Sequence, residues 1–393
     1  MKWSIIVCLL LFPSRLPYAQ DTVKVRISVK VPGYTPKNAE VFIVGDKPEL
    51  GSWDPGKVRL SRNGDGSYGI ELNALPGSVL EYKYTRGSWE TVEKGRDFSE
   101  LDNRRAAVTG AAAINDTVLN WTDKKAAAKK HTLTGTLKYH RGFSSRILKN
   151  KRSLLVWLPD SYAAAKSRRY PVIYMHDGQN VFDGATSFMG AEWEADEAAA
   201  ALANGKPPLE AIIVGIDNNA DRVDEYTPHR DAALGGGKGR DYAEFVVKEV
   251  KPFIDAHYRT LSGRENTAVA GSSLGGLISL YLILEYPGAF SKAAVLSPSL
   301  YWAGGSLLDL AKNKADPGKM RIWLSMGTEE GDSSAEAKNL TESVLDSRKL
   351  RDILLGKGFV ENKDLVYFEE AGGRHNEKYW AKILPEVFRF LLL

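Results

Sequence analysis

The segment Gly271-Ser272-Ser273-Leu274-Gly275-Gly276 sets a serine between two glycines in the spacing G-x-S-x-G. It follows a strand-like apolar run, Thr267 to Ala270, and opens a helix-like segment, Leu274 to Glu285. A chain that turns sharply from strand into helix must hold such a serine in a strained conformation. Gly271 and Gly275 remove the side chains that would collide in that turn. The hydroxyl then projects near a helix N-terminus, whose dipole favours developing negative charge. Ser272 is out of register, so Ser273 is the candidate nucleophile.

A serine hydroxyl is a weak nucleophile and needs a base. Of the six histidines, His131 falls in a linker, His140 in an early polar segment, His229 before the elbow and His257 at a helix end. His375 lies in Ala371-Gly372-Gly373-Arg374-His375-Asn376, between the last expected strand and the last expected helix. An α/β-hydrolase carries its base there. The acid that orients the base should follow a strand between elbow and histidine. Ile322 to Met326 is that strand, and Glu329, Glu330 and Asp332 follow it. Glu330 is the choice and Asp332 the second. The oxyanion of a tetrahedral intermediate needs backbone donors. One is the N–H of Leu274. The other is assigned to the N–H of Gln179, in His176-Asp177-Gly178-Gln179-Asn180 after the strand Val172 to Met175. A metal site at His176 and Asp177 is the rival reading of that loop, but no regularly spaced ligand set completes it. The expected chemistry uses no metal and no cofactor.

These residues need elements to place them. From about Leu133, apolar strand-like runs alternate with helical segments. The strands are Leu154 to Leu158, Val172 to Met175, Ala211 to Ile216, Ala268 to Ala270, Ala293 to Leu296, Ile322 to Met326 and Leu365 to Phe368. The helices are Trp193 to Ala203, Tyr242 to His257, Leu274 to Glu285, Ala335 to Leu355 and Trp380 to Leu392. Alternation of this kind predicts a mostly parallel sheet with helices on both faces. Residues 21–122 read differently. Runs such as Val23 to Val29 and Glu40 to Val44 alternate with period two, and Asn63-Gly64-Asp65-Gly66 and Leu75-Pro76-Gly77 mark turns. That predicts a small all-β, immunoglobulin-like sandwich. Residues 123–132, rich in Ala and Lys, form a semi-rigid linker or a solvated helical turn, and 133–393 form the α/β part.

Two resemblances follow. His176-Asp177-Gly178-Gln179-Asn180-Val181-Phe182-Asp183, Arg222 with Glu225-Tyr226-Thr227-Pro228, and the Ser273 motif resemble the putative esterase family, relatives of enterochelin, feruloyl and acetyl xylan esterases. The resemblance covers about Leu133 to the C-terminus. It implies a three-layer α/β-hydrolase fold and ester hydrolysis without metal or cofactor. It also favours Glu330, which stands three residues after the glycine of its loop. Acyl transfer to a sugar is a further possibility within that fold. Leu50-Gly51-Ser52-Trp53-Asp54, Glu81-Tyr82-Lys83-Tyr84, Trp89-Glu90 and Asn103-Arg104 are similar to a starch-binding carbohydrate-binding module. That resemblance implies that Trp53 and Trp89 stack on sugar rings, with Lys83 and Asn103 as polar partners. Arg86-Gly87-Ser88 replaces a longer loop in relatives, which bears on the shape of that site. The bland alternative is two tryptophans packed in or at the edge of the sandwich.

Composition excludes other classes. The net charge of +4 is mild and dispersed, unlike the dense basic face of a nucleic-acid binder. No apolar run beyond the N-terminus is long enough to span a membrane. Residues 1–20 have a basic start, the apolar stretch Trp3 to Phe12 and a small residue before a polar one, the layout of a signal peptide cleaved near Ala19 or Gln20; a buried N-terminal strand is the other reading. The single cysteine, Cys8, lies inside that segment. The combined expectation is a secreted or periplasmic serine esterase acting on feruloyl or acetyl esters of carbohydrate, with a starch-like glucan as partner of the N-terminal module. A glycan-binding protein with a silent hydrolase domain and a siderophore esterase are the alternatives.

Overall fold

The computed structural model describes residues 22–95, 98–123, 131–187, 190–330 and 341–393. The proposed signal segment 1–20 and most of the Ala/Lys linker lie outside the described residues. The N-terminal unit contains β1 (Val23–Lys30), β2 (Phe42–Gly45), β3 (Val58–Arg59), β4 (Ser61–Arg62), β5 (Tyr68–Ala74), β6 (Val79–Thr85), β7 (Glu93–Lys94), β8 (Arg104–Ala107), β9 (Ala112–Thr117) and β10 (Asn120–Trp121). Two four-stranded sheets, β4-β5-β1-β9 and β3-β2-β6-β8, face one another, and β10 pairs with β7. The period of two decides what lies between them. Val25, Ile27 and Val29 of β1 point inward against Leu80, Tyr82 and Tyr84 of β6. Lys24 and Arg26, on the outer face of β1, reach Glu71 instead. The outer face of β6 departs from this simple alternation. Glu81, Lys83 and Thr85 there are buried as well.

The second unit is built on an eight-stranded sheet. Its strands are β11 (Thr136–Ser144), β12 (Lys151–Leu158), β13 (Val172–His176), β14 (Ile212–Ile216), β15 (Thr267–Ser272), β16 (Lys292–Leu296), β17 (Arg321–Gly327) and β18 (Leu365–Glu370). Their order is β11-β12-β14-β13-β15-β16-β17-β18. β11–β12 and β12–β14 run antiparallel, and the other neighbours run parallel. The helices are α1 (Ser161–Ala164), α2 (Ala195–Ala203), α3 (Arg222–Tyr226), α4 (Gly239–Phe245), α5 (Lys251–His257), α6 (Leu274–Glu285), α7 (Trp302–Lys314), α8 (Glu342–Gly356) and α9 (Glu377–Leu392). α2 and α9 cover one face, where Leu202, Leu384, Val387 and Phe388 pack on Ile173, Ile213 and Ala270. α4 to α8 cover the other, where Phe245, Ile254, Leu277, Leu307 and Leu350 pack on Val172, Val214 and Val295. Each such side chain, buried in full, contributes roughly 1.5–3 kcal/mol. The result is the expected three-layer sandwich.

Several boundaries move for physical reasons. The expected helix from Tyr242 to His257 is one helical run with a π turn over Val246–Val250. Pro252, just beyond it, has no N–H to give back to the preceding turn, and the ladder widens there. The expected helix from Ala335 begins, among the described residues, at Glu342, where Thr341 Oγ1 accepts from Val344 N at 3.3 Å as its cap. α9 starts a turn earlier than expected. α7 was not expected. Ala303, Gly304 and Gly305 take left-handed φ values of 50°, 65° and 79° within it, which breaks the helical period a reader would seek. No helix of the described residues is long and apolar enough to cross a membrane.

Candidate active site

Ser273 sits where β15 ends and α6 begins, with φ 58° and ψ −125°. For a residue with a Cβ this is a costly backbone state, held only because the surroundings over-determine it. They do so from both sides. Ser273 N donates to Leu296 O at 3.1 Å, and Ser299 N donates to Ser273 O at 3.2 Å. A Cβ on Gly271 would lie 2.5 Å from Gly275 O, so the turn closes only with glycine at that position.

His375 and Glu330 come together from the loops after β18 and β17. His375 Nδ1 lies 2.7 Å from Glu330 Oε2. The second oxygen, Glu330 Oε1, accepts from Ser297 Oγ at 2.7 Å and from Gly327 N at 3.0 Å. Trp380 Nε1 donates to Ser297 Oγ at 2.9 Å, and the Trp380 ring meets the His375 ring edge-on at 5.1 Å. The two loops are joined by backbone bonds as well, Glu329 N to Gly373 O and Thr328 N to Glu370 O. Glu330 is therefore buried and fully hydrogen-bonded while touching the imidazole. Asp332 lies outside the described residues. Burial pushes the His375 pKa down, but the charge and hydrogen bond of Glu330 more than reverse this, helped by Glu377 and Glu81. The net shift is upward from the ordinary histidine value.

The hydroxyl partner of Ser273 is Ser299, Oγ to Oγ at 3.3 Å. Among the described residues no hydrogen bond joins Ser273 to His375. Catalytic hydrogen bonds of this type often tighten only when substrate is bound.

Leu274 is the first residue of α6, so its N–H has no acceptor within the helix. Gln179 lies in a short 3-10 turn, Gly178–Asn180, that follows β13. Its side chain is fixed by Asn218, donating to Oδ1 at 2.7 Å and accepting from Asn218 N at 3.1 Å. The preceding residue, Asp177, has φ 58° and is clamped by Arg222 through Nε at 2.7 Å and Nη2 at 2.8 Å. Asn218 Nδ2 adds a third bond at 2.5 Å. A Cβ on Gly178 would come within 2.7 Å of the β14 backbone, so glycine lets this loop lie flat on the sheet edge. Asp177 is thus engaged by Arg222 and Asn218. Burial lowers the His176 pKa to about 3, and its Nδ1 lies 2.9 Å from the Tyr242 hydroxyl.

Behind the clamp, Arg152 Nη2 donates to both Glu225 oxygens at 2.8 Å in full burial, which anchors α3 and with it Arg222. The remaining histidines are engaged elsewhere: His131 with Asp183, His140 with Tyr258, His229 with Ser306 and His257 with Phe253 O. Ser297, Ser299 and Trp380 are supporting residues that sequence reading passed over. Their contacts join separate strands and helices, and no local spacing announces them.

In the N-terminal unit, Trp53 and Trp89 are neighbours, with ring centroids 6.5 Å apart and planes 28° from parallel. Both are half-buried and neither joins the sandwich core. The expected polar partners behave differently. Lys83 is buried, and its Nζ is consumed by Glu100 Oε1 at 2.9 Å and by Leu101 O. Asn103 Nδ2 donates to Glu81 Oε2 at 3.4 Å. A buried ammonium needs a counter-charge, and Glu100 supplies it within the module.

A mostly parallel sheet, helices on both faces and a serine elbow at the end of a central strand define the α/β-hydrolase class. Within that class the chain belongs to the putative esterase family, whose model matches residues 145–391. A second model, described as a starch binding domain, matches residues 22–117. The uncharacterized protein YbbA of Bacillus subtilis is 28% identical over 266 residues, which is 66% of this chain and 97% of that protein. Amylopullulanase of Thermoanaerobacter thermohydrosulfuricus is 39% identical over 105 residues, 26% of this chain and 7% of that protein. Among solved structures, the enterobactin esterase FES from Shigella flexneri in the presence of enterobactin aligns with a TM-score of 0.53 at 15% identity. It covers 92% of this chain and 89% of that one, a likeness of fold. The chain is an esterase-family protein whose N-terminal residues 22–117 match a starch binding domain model.

Proposed function

We propose that the chain is an extracytoplasmic serine esterase that hydrolyses feruloyl or acetyl esters of carbohydrate. The observation that carries this reading is the 2.7 Å contact between His375 and a buried Glu330, in a chain that also holds a serine in a strained strand-to-helix elbow. Ser273 Oγ attacks the ester carbonyl. His375 Nε2 takes the serine proton, and Glu330 holds the Nδ1 proton and stabilises the imidazolium that forms. The N–H groups of Leu274 and Gln179 receive the oxyanion. His375 then protonates the departing alcohol, and water, activated by the same imidazole, releases the acid from Ser273. The Ser273 hydroxyl lies 3.3 Å from the Ser299 hydroxyl. The test is a panel of p-nitrophenyl acetate, methyl ferulate, acetylated xylan and a catecholate siderophore ester. Preference for the ferulate or xylan ester supports the proposal, and preference for the siderophore ester rejects its substrate class.

Export rests on the layout of residues 1–20. The role of the N-terminal module rests on its family match and on the Trp53–Trp89 pair. Two offset indoles offer a platform on which the apolar face of a pyranose can lie. Holding the enzyme on polysaccharide would raise the local substrate concentration without changing the chemistry. In a pull-down on insoluble starch, Trp53→Ala and Trp89→Ala should each lower the bound fraction about tenfold, as loss of an aromatic anchor does. Hydrolysis of a small soluble ester should be unaltered. Equal retention of wild type and variants would remove glucan binding from the proposal.

A further inference from the structure

The N-terminal module reaches the candidate active site itself. Asp102, just before β8, accepts from Arg374 Nη1 at 2.9 Å through Oδ2 and from Asn376 Nδ2 at 2.7 Å through Oδ1. Arg374 and Asn376 are the residues on either side of His375. Arg105, in β8, donates Nη1 to the backbone oxygen of Glu329 at 2.6 Å and forms an ion pair with Glu81 Oε1 at 3.0 Å. Glu329 immediately precedes Glu330, and its carboxylate accepts from Arg374 Nε at 2.9 Å. A continuous chain of contacts therefore runs from Glu81 through Arg105, Glu329 and Arg374 to Asp102 and Asn376. These three hydrogen bonds from module to hydrolase domain land next to the acid or next to the base.

We propose that Asp102 is a positioning residue of the esterase: the module grips both neighbours of His375 and so fixes the imidazole for proton transfer from Ser273. This rests on reading Ser273, His375 and Glu330 as the catalytic set. The side chains of Asp102 and Arg374 are 41% and 38% exposed, and exposed pairs add little to global stability. Position is another matter, because a displacement of about 1 Å at a reacting group costs on the order of a hundredfold in rate. A contact that is weak for the fold can thus be strong for turnover. The starch-binding module then has a second task, as part of the wall that shapes the hydrolytic site.

The test uses the full-length chain with p-nitrophenyl acetate and methyl ferulate. Asp102→Ala should lower kcat about 10- to 100-fold, with KM and the thermal midpoint close to those of wild type. Asp102→Asn keeps an acceptor for Arg374 and should recover most of the loss. Arg105→Ala, which frees Glu329 from the other side, should lower kcat in the same direction and serves if Asp102→Ala does not fold. Wild-type kcat in Asp102→Ala, in an assay where Ser273→Ala is inactive, overturns the positioning role. A loss of kcat that follows a lowered thermal midpoint and is not rescued by Asp102→Asn overturns it too. Full activity in Ser273→Ala would instead overturn the catalytic reading on which the role rests.

Discussion

Ser273→Ala should abolish ester hydrolysis while leaving the fold intact. Loss of a serine nucleophile removes the covalent route, and the expected fall in kcat is on the order of 10⁵- to 10⁶-fold, with residual turnover from the oxyanion donors alone. The structure favours a clean experiment. The Ser273 hydroxyl makes a 3.3 Å contact with Ser299, and the backbone bonds that hold the elbow do not involve it. Circular dichroism and the thermal midpoint should therefore match wild type, while p-nitrophenyl release should fall to that small residual rate. A variant as active as wild type would return the chain to the glycan-binding reading, or place the chemistry elsewhere.

Glu330→Gln should cost about 10⁴-fold in kcat, because a neutral partner stabilises neither the imidazolium nor its working tautomer. It should also move the pH profile in a defined direction. Burial disfavours the His375 cation, and the Glu330 carboxylate, with Glu377 and Glu81 behind it, outweighs that penalty and raises the pKa. The base acts when neutral, so wild-type kcat/KM should climb with pH through a midpoint above the ordinary histidine value of about 6.5. Removing the Glu330 charge removes the main upward influence, and the rising limb should shift to lower pH even as the plateau collapses. Initial rates across the neutral range, for wild type and variant, decide it. An unmoved limb would show that some other group sets the profile.

The parts of this site that were legible in the sequence are those written in local spacing. Gly271 and Gly275 bracket Ser273 because the elbow is closed by contacts only a few residues apart. His375 and Glu330 could be placed because each lies in a loop that follows a regular apolar strand. The π turn near Pro252 and the interrupted start of α7 blurred a period that is otherwise plain. Lys83 shows what pattern matching misses. Its position in β6 suited a sugar ligand, yet Glu100 and Leu101 O claim its ammonium. The grip of Asp102 on Arg374 and Asn376 spans more than 270 residues of chain, and no window on the sequence contains both ends. The two family models match residues 22–117 and 145–391 and leave the contact between them unspecified.

The backbone at Ser273 has one more consequence. A φ of 58° with ψ −125° is a state that a glycine occupies far more readily than a serine. Ser273 is therefore held at a thermodynamic loss, and Ser273→Gly should melt at a higher temperature than the wild-type protein while hydrolysing nothing. Heat-tolerance selection without an activity screen would drift toward that inert form, so any programme to toughen this esterase must score turnover in the same step as survival.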